Sequence, residues 1–331
     1  MGHRRTSAPR RGSLMYYPRV RAKSIVARIR TWPEVKLDSP KLLAFAGYKA
    51  GVTHVVLVEN KPGSPLLGRE VVKAVTIVDV PPLLVCGFRA YVPTIDGLKS
   101  LSEVWAKNLP SDLSRVLTLP KDYDPTPALK SIESNLDKIC ELRAIVCTQP
   151  RKSGLRKKTP EIFEVKVGGD IKAVFEYLKN MLGKEVKIRD VFSEGQVVDV
   201  ISITKGKGFK GVVKRFGVKI LPRWHKHRKG HRVVGAISPS APSMMFTVPR
   251  PGQTGFHQRT EYNKVILKIG ENGSEITPKS GFHRYGVVRG NYLVIEGSIP
   301  GPIKRLVKIR FAVRPPKKIA PEPPKIVGIA L

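Results

Sequence analysis

Between Asp199 and Glu261 the chain has no carboxylate, and none stands ahead of Glu34. Across the longer gap thirteen Lys and Arg follow one another without a counter-charge, from Lys205 and Lys207 to Arg250 and Arg259. Like charges crowded in this way call for an external polyanion, and phosphate backbone is the commonest one. Cysteine is scarce as well. Cys86, Cys140 and Cys147 have no C-x-x-C spacing, which argues against a disulfide framework and a cysteine zinc site and suits a reduced, cytosolic setting. No apolar run reaches the roughly 20 residues of a membrane span, and no basic amphipathic helix is evident. The apolar stretches at 71–80 and 81–92 are interrupted by Lys73, Asp79 and the Pro81-Pro82 pair. The arginine-rich N-terminus lacks the apolar core and small-residue cleavage site of a secretory signal.

What is present is basic charge on a large scale. The 331 residues carry 60 Lys and Arg against 26 Asp and Glu, a formal charge of +34. That length suits two domains or one large core with insertions. A solvated basic face is the plain alternative to a binding surface, but the charges from Lys205 to Arg232 form no amphipathic stripe. They alternate with Gly206, Gly208, Gly211, Gly217 and Gly230 and with the rings of Phe209, Phe216 and Trp224. Cations, flexible backbone and flat rings suit an irregular surface that moulds to RNA by phosphate contact and stacking.

Taken in order, residues 1–40 read as a basic arm, with nine Lys and Arg before Glu34 and too little apolar surface to fold alone. Residues 41–95 turn to β character, with strands expected at 52–58, 71–80 and 83–92 and bulges or corners at Gly47, Gly51 and Gly87. Residues 96–185 are balanced in charge and read as an inserted α+β region. It has helices at 101–109 and at 171–182, the latter between Asp170 and Gly183, and strands at 141–149 and 162–167. Residues 186–204 and 260–313 return to strands, with a hairpin expected at Gly290-Asn291. Between them lies the basic loop, 205–259. The proline-rich tail, 314–331, reads as extended and weakly ordered.

Gly206–Gly211 fits G-x-G-x-x-G, and with Val213 the kinase form, so a nucleotide-dependent or RNA-modifying enzyme is one alternative. The context opposes it, because 212–218 is a poor helix opener and no acid follows about 20 residues on. His225, His227 and His231 have metal-like spacing, yet surrounding cations oppose a divalent ion, so no metal, cofactor or catalytic residue is expected. A basic chaperone or DNA-compacting protein is a further alternative.

The segments 204–218, 228–232 and 249–264, with the opening 2–22 and the closing 299–310, closely resemble the universal large-subunit ribosomal protein L-three family in its archaeal and eukaryotic form. The resemblance implies a mainly β protein, a translation-factor-like β-barrel with an inserted α+β region and long basic extensions. It implies a structural, non-catalytic protein whose arm and loop enter large-subunit rRNA near the peptidyl transferase region and act early in subunit assembly. Neighbours of the L-fourteen and L-twenty-four-eukaryotic types are implied as partners, with no membrane. Carried over by position, the RNA contacts are Arg4, Arg5, Arg10, Arg11 and Arg19 in the arm. Lys205, Lys207, Phe209, Lys210, Lys214 and Arg215 stand where the strand enters the loop. Arg223, Trp224, His225, His227, Arg228, Lys229, His231 and Arg232 form its ascending limb, and Arg250, Gln253, His257, Gln258 and Arg259 its returning limb. Where many family members place a loop-tip Trp, this chain has Ile237 and Ser238 followed by a Pro-Ser-rich run, so no role of that indole carries over.

Overall fold

The computed structural model describes residues 11–35, 37–120, 122–224, 226–235, 237, 243–317, 320 and 322–330. The chain separates into two compact units, one of 1–25 with 203–258, the other of 26–202 with 259–331.

The larger unit is mainly β, as its branched apolar segments dictate. Its strands begin with β1 (Lys41–Leu42), β2 (Ala44–Val58), β3 (Glu70–Asp79), β4 (Leu83–Thr94) and β5 (Gly97–Trp105). Next come β6 (Glu141–Cys147), β7 (Ile162–Gly168), β8 (Glu185–Val186) and β9 (Val197–Ile203). The smaller unit contributes β10 (Gly208–Lys210) and β11 (Gly252–Thr254). The last strands are β12 (Gln258–Gly270), β13 (Tyr292–Glu296), β14 (Leu306–Phe311) and β15 (Ile326–Ile329). Four α-helices are interspersed among the described residues: α1 (Thr126–Glu133), α2 (Ile171–Met181), α3 (Ile188–Val191) and α4 (Val212–Phe216).

Seven strands form one sheet in the order β14-β9-β12-β13-β3-β2-β15, and β14 also pairs with β2, so the ladder returns to its starting strand. Both faces of β9 are covered. Every residue from Val197 to Ile203 is buried, which leaves no polar alternation to read. The polar groups this traps are satisfied: Asp199 meets Arg310 at 3.0 Å and accepts the backbone N–H of Asn263 and of Val313, each at 3.1 Å. Six strands form the second sheet, in the order β1-β7-β6-β4-β5 with β8 also on β4. Tyr48 of the first sheet donates to Glu161 at 2.6 Å beside Thr148, and this contact joins the two sheets.

Several sequence expectations need correction. Leu83–Thr94 reads with the strands before it, but it pairs with β5 and β6 in the second sheet. The helix expected at 101–109 is absent. Residues up to Trp105 form β5 instead, where Val104 lies opposite Phe88 and Arg89 donates to Glu103 at 2.6 Å. Cross-strand pairing along β4 outweighs a marginal helical propensity there. The Gly290-Asn291 hairpin does not form either, because 287–290 is not a strand and β13 lies between β12 and β3. The proline-rich tail ends in β15, which pairs Ile326 with Leu57 and Ile329 with Val55. Other expectations match what the chain does: α2 spans Ile171–Met181, and the ladder shifts register beside Gly51 and beside Gly87. At Gly47 the register is unbroken.

Candidate nucleic-acid interface

The smaller unit gathers the acid-poor segments of the sequence. Seven Lys and Arg lie in 1–25 and twelve in 203–258, with no Asp or Glu in either segment. A unit of this kind cannot be held by internal salt bridges, so other acceptors and aromatic rings must serve.

Phe216 is the local anchor. It closes α4, a five-residue helix that ends at Gly217 with φ of 67°, and both Val212 and Phe216 are buried. That helix corrects the expectation that 212–218 would not be helical, although one turn is too short to present an N-terminal phosphate site. Tyr17 stacks on Phe216 with ring centroids 6.0 Å apart, and the Arg19 guanidinium lies 4.1 Å over the same ring. Cation–π contact substitutes in part for the missing carboxylates.

Backbone carbonyls supply the rest. Arg215 donates to the carbonyl oxygens of Gln253 at 3.0 Å, Arg250 at 2.8 Å and Arg19 at 3.3 Å, while Arg19 donates back to Arg215 O at 2.6 Å. The planar fork of arginine makes this possible, and lysine could not copy it. Burial, and then the nearby Arg19 charge, pull the Arg215 guanidinium below its ordinary value.

His257 is also turned inward. Its Nε2 accepts the N–H of Gly255 at 3.0 Å, so its Nδ1 must carry the proton and donate to Val20 O at 2.7 Å. The Ala22 N–H donates to Phe256 O at 2.8 Å alongside. Gly255 cannot be replaced here, because a Cβ would stand 2.1 Å from Lys205 O. Residues 17–22 of the arm are thus tied to the returning limb of the loop.

These contacts sort the residues singled out by sequence. Lys205, Lys207, Phe209, Lys210 and Lys214 are exposed beside the short β10–β11 ladder, with Phe209 76% accessible. Arg11, Arg223, Trp224, Arg228, Lys229 and Arg232 are exposed too, the Trp224 ring at 85%. Arg250 is exposed and donates to the Met244 sulfur. His227, His231, Gln258 and Arg259 are half-buried, and Gln253 donates its amide to Gly255 O at 3.0 Å. Arg19, Arg215 and His257, expected as outward contacts, brace the unit from within. Arg4, Arg5, Arg10 and His225 lie outside the described residues. Tyr17 and Phe246, not among the RNA contacts expected from sequence, meet ring edge to face at 6.1 Å, with Phe246 otherwise exposed. The signal available is their position as aromatics inside the two acid-free segments.

Around Gly206–Gly211 a Cβ at Gly208 or Gly211 would meet nothing within 4 Å, so these glycines cradle no neighbouring group of the chain. Among the described residues no cluster of His, Cys, Asp and Glu could hold a metal, and no helix is long and apolar enough to cross a membrane. What the surface offers is a set of flexible cations and open rings facing away from their supports, suited to phosphates and unstacked bases.

Comparison with known proteins gives a family and several relatives. The family described as ribosomal protein L3 matches residues 1–326. The large ribosomal subunit protein uL3 of Pyrobaculum arsenaticum is 58% identical over 327 residues, covering 97% of each chain. That of Aeropyrum pernix is 49% identical over 339 residues, covering 100% of this chain and 98% of its own. That of Methanopyrus kandleri is 48% identical, covering 99% and 92% respectively.

Proposed function

The chain belongs to the ribosomal protein L3 family, and from that premise we propose that its carboxylate-free unit is the part that grips large-subunit rRNA. The protein is a structural constituent of the cytoplasmic large ribosomal subunit and not an enzyme. Its partners are accordingly rRNA and other ribosomal proteins. The observation that carries the proposal is the segregation of charge: nineteen Lys and Arg stand in one compact unit without a single Asp or Glu. Phosphates of the rRNA supply the counter-charge, while Phe209 and Trp224 offer faces to unpaired bases.

In this reading the loop 205–259 and the arm 1–40 extend into the rRNA, the loop toward the peptidyl transferase region, and fix RNA helices early in assembly. The closed ladder of β14, β9, β12, β13, β3 and β2 serves as a barrel of the translation-factor type. The second sheet, with the charge-balanced region 96–185 apart from its basic loop at 151–158, faces protein neighbours of the L14 and L24e types. Support for this assignment comes from the carboxylates, all 26 of which lie in the larger unit.

The test is the salt dependence of binding. Full-length protein should bind large-subunit rRNA with log K falling linearly against log salt. The triple replacement Lys205→Gln, Lys207→Gln, Lys210→Gln should flatten the slope by about 0.7 to 0.9 for each phosphate left without its lysine. A response to salt that is flat from the outset removes the basis of the proposal.

A further inference from the structure

A second basic site lies in the larger unit, where neither arm nor loop contributes. Arg156, Arg284, Arg289 and Lys304, from three separate loops, line a cleft of about 430 Å³. None of the described lining residues is acidic, and all four cations are exposed. Several cations elsewhere in this unit are answered by carboxylates, as Arg89 is by Glu103 and Glu164, Arg143 by Glu141, and Arg151 by Asp112. The cleft departs from that pattern.

Its walls are held in place from beneath. Buried Asp79 accepts the Tyr285 hydroxyl at 2.6 Å and the Gly154 N–H at 3.1 Å through the same oxygen. One carboxylate therefore fixes both the residue next to Arg284 and the loop that leads to Arg156. The two loops also interlock, since a Cβ on Gly154 would stand 2.2 Å from Val287 O. Arg284 and Lys304 have φ of 61° and 70°, a left-handed backbone that costs free energy in any residue but glycine. Cations splayed on a braced frame suit an extended polyanion better than a single small ion.

We propose that this cleft is a second rRNA-backbone site, in which Arg156, Arg284, Arg289 and Lys304 take consecutive phosphates of one strand. The proposal rests on the reading of the protein as an rRNA binder and adds a contact face on the larger unit, the one that holds the carboxylates. Asp79 is a positioning residue here and touches no RNA.

The experiment compares two variants of the full-length chain on protein-free large-subunit rRNA. One replaces Arg156→Gln, Arg284→Asn, Arg289→Gln and Lys304→Asn, with asparagine chosen because it tolerates the left-handed backbone. The other is the Lys205, Lys207, Lys210 triple. Each should lower the slope of log K against log salt, the cleft variant by about 3 to 3.5 for its four phosphates at about 0.7 to 0.9 each. Its melting temperature should stay at the wild-type value. Should the fourfold variant unfold, the pair Arg156→Gln, Arg289→Gln alone should remove about half that slope. A cleft variant with unchanged slope beside a triple whose slope falls overturns the cleft and spares the function. If neither variant changes the slope, both fall. Retention of a poly-glutamate peptide in the cleft against excess rRNA also overturns the assignment, in favour of an acidic protein partner.

Discussion

Lys308 stands 3% exposed with its ammonium 4.0 Å over the Phe163 ring. Burial pulls that group down to about 7, with Glu161 and Glu164 opposing the shift. In the unfolded chain a lysine titrates near 10.4. Between about 7 and 10 the unfolded state therefore holds a proton that the folded state lacks, and this group makes stability rise with pH. Below about 7 both states are protonated and its contribution is flat. Denaturant unfolding of wild type and Lys308→Met should diverge in slope over that window by up to about 1.4 kcal/mol per pH unit. Parallel profiles would show that Lys308 is charged in the fold throughout. None of this is legible in sequence, where Lys308 is one of many lysines on an alternating strand. Asp199 and Arg310 are separated by 111 residues and find each other only in the fold. Arg215 and His257 show the same limit at the interface: their residue types suit RNA, but carbonyls brought near by folding claim them first.

At the scale of elements, sequence pattern serves best where an element is set by its own residues. Helix α2 is amphipathic and flanked by Asp170 and Gly183, and both ends fall where those signals stand. Strand β5 is hidden from such a reading because its identity comes from β4 beside it. Strand β15 is hidden because five prolines in 314–331 mask four residues that need a partner. That partner is β2, and the tail is fastened further by Val58 N–H to Lys325 O at 2.9 Å and Ala330 N–H to His54 O at 3.0 Å. Removal of residues 315–331 should therefore uncover an edge of the seven-stranded sheet. Hydrogen exchange at 54–58 should speed up, and the melting temperature should fall by roughly 2 to 4 °C, the equivalent of about 1 to 2 kcal/mol at this size. Unchanged protection at 54–58 would mean that β15 adds nothing to the sheet.

At the scale of the molecule, charge is partitioned by unit. The larger unit mixes 41 Lys and Arg with all 26 carboxylates, while the smaller holds the remaining nineteen cations alone. This partition is visible in the sequence as two acid-free gaps, and it points to a polyanion ahead of any fold. That the arm and the loop form one unit is not visible, because it depends on Tyr17 and Arg19 meeting Phe216 across some 200 residues of chain. Mutual repulsion among the cations of the smaller unit would be relieved by a ligand of opposite sign. The most direct test is ultraviolet crosslinking inside intact large subunits, read as nucleotide adducts on peptides from 203–258. Adducts are expected at the exposed positions from Lys205 to Lys214 and around Trp224. A particle whose 203–258 peptides carry no nucleotide, and exchange hydrogen as freely as in the isolated protein, would contradict it.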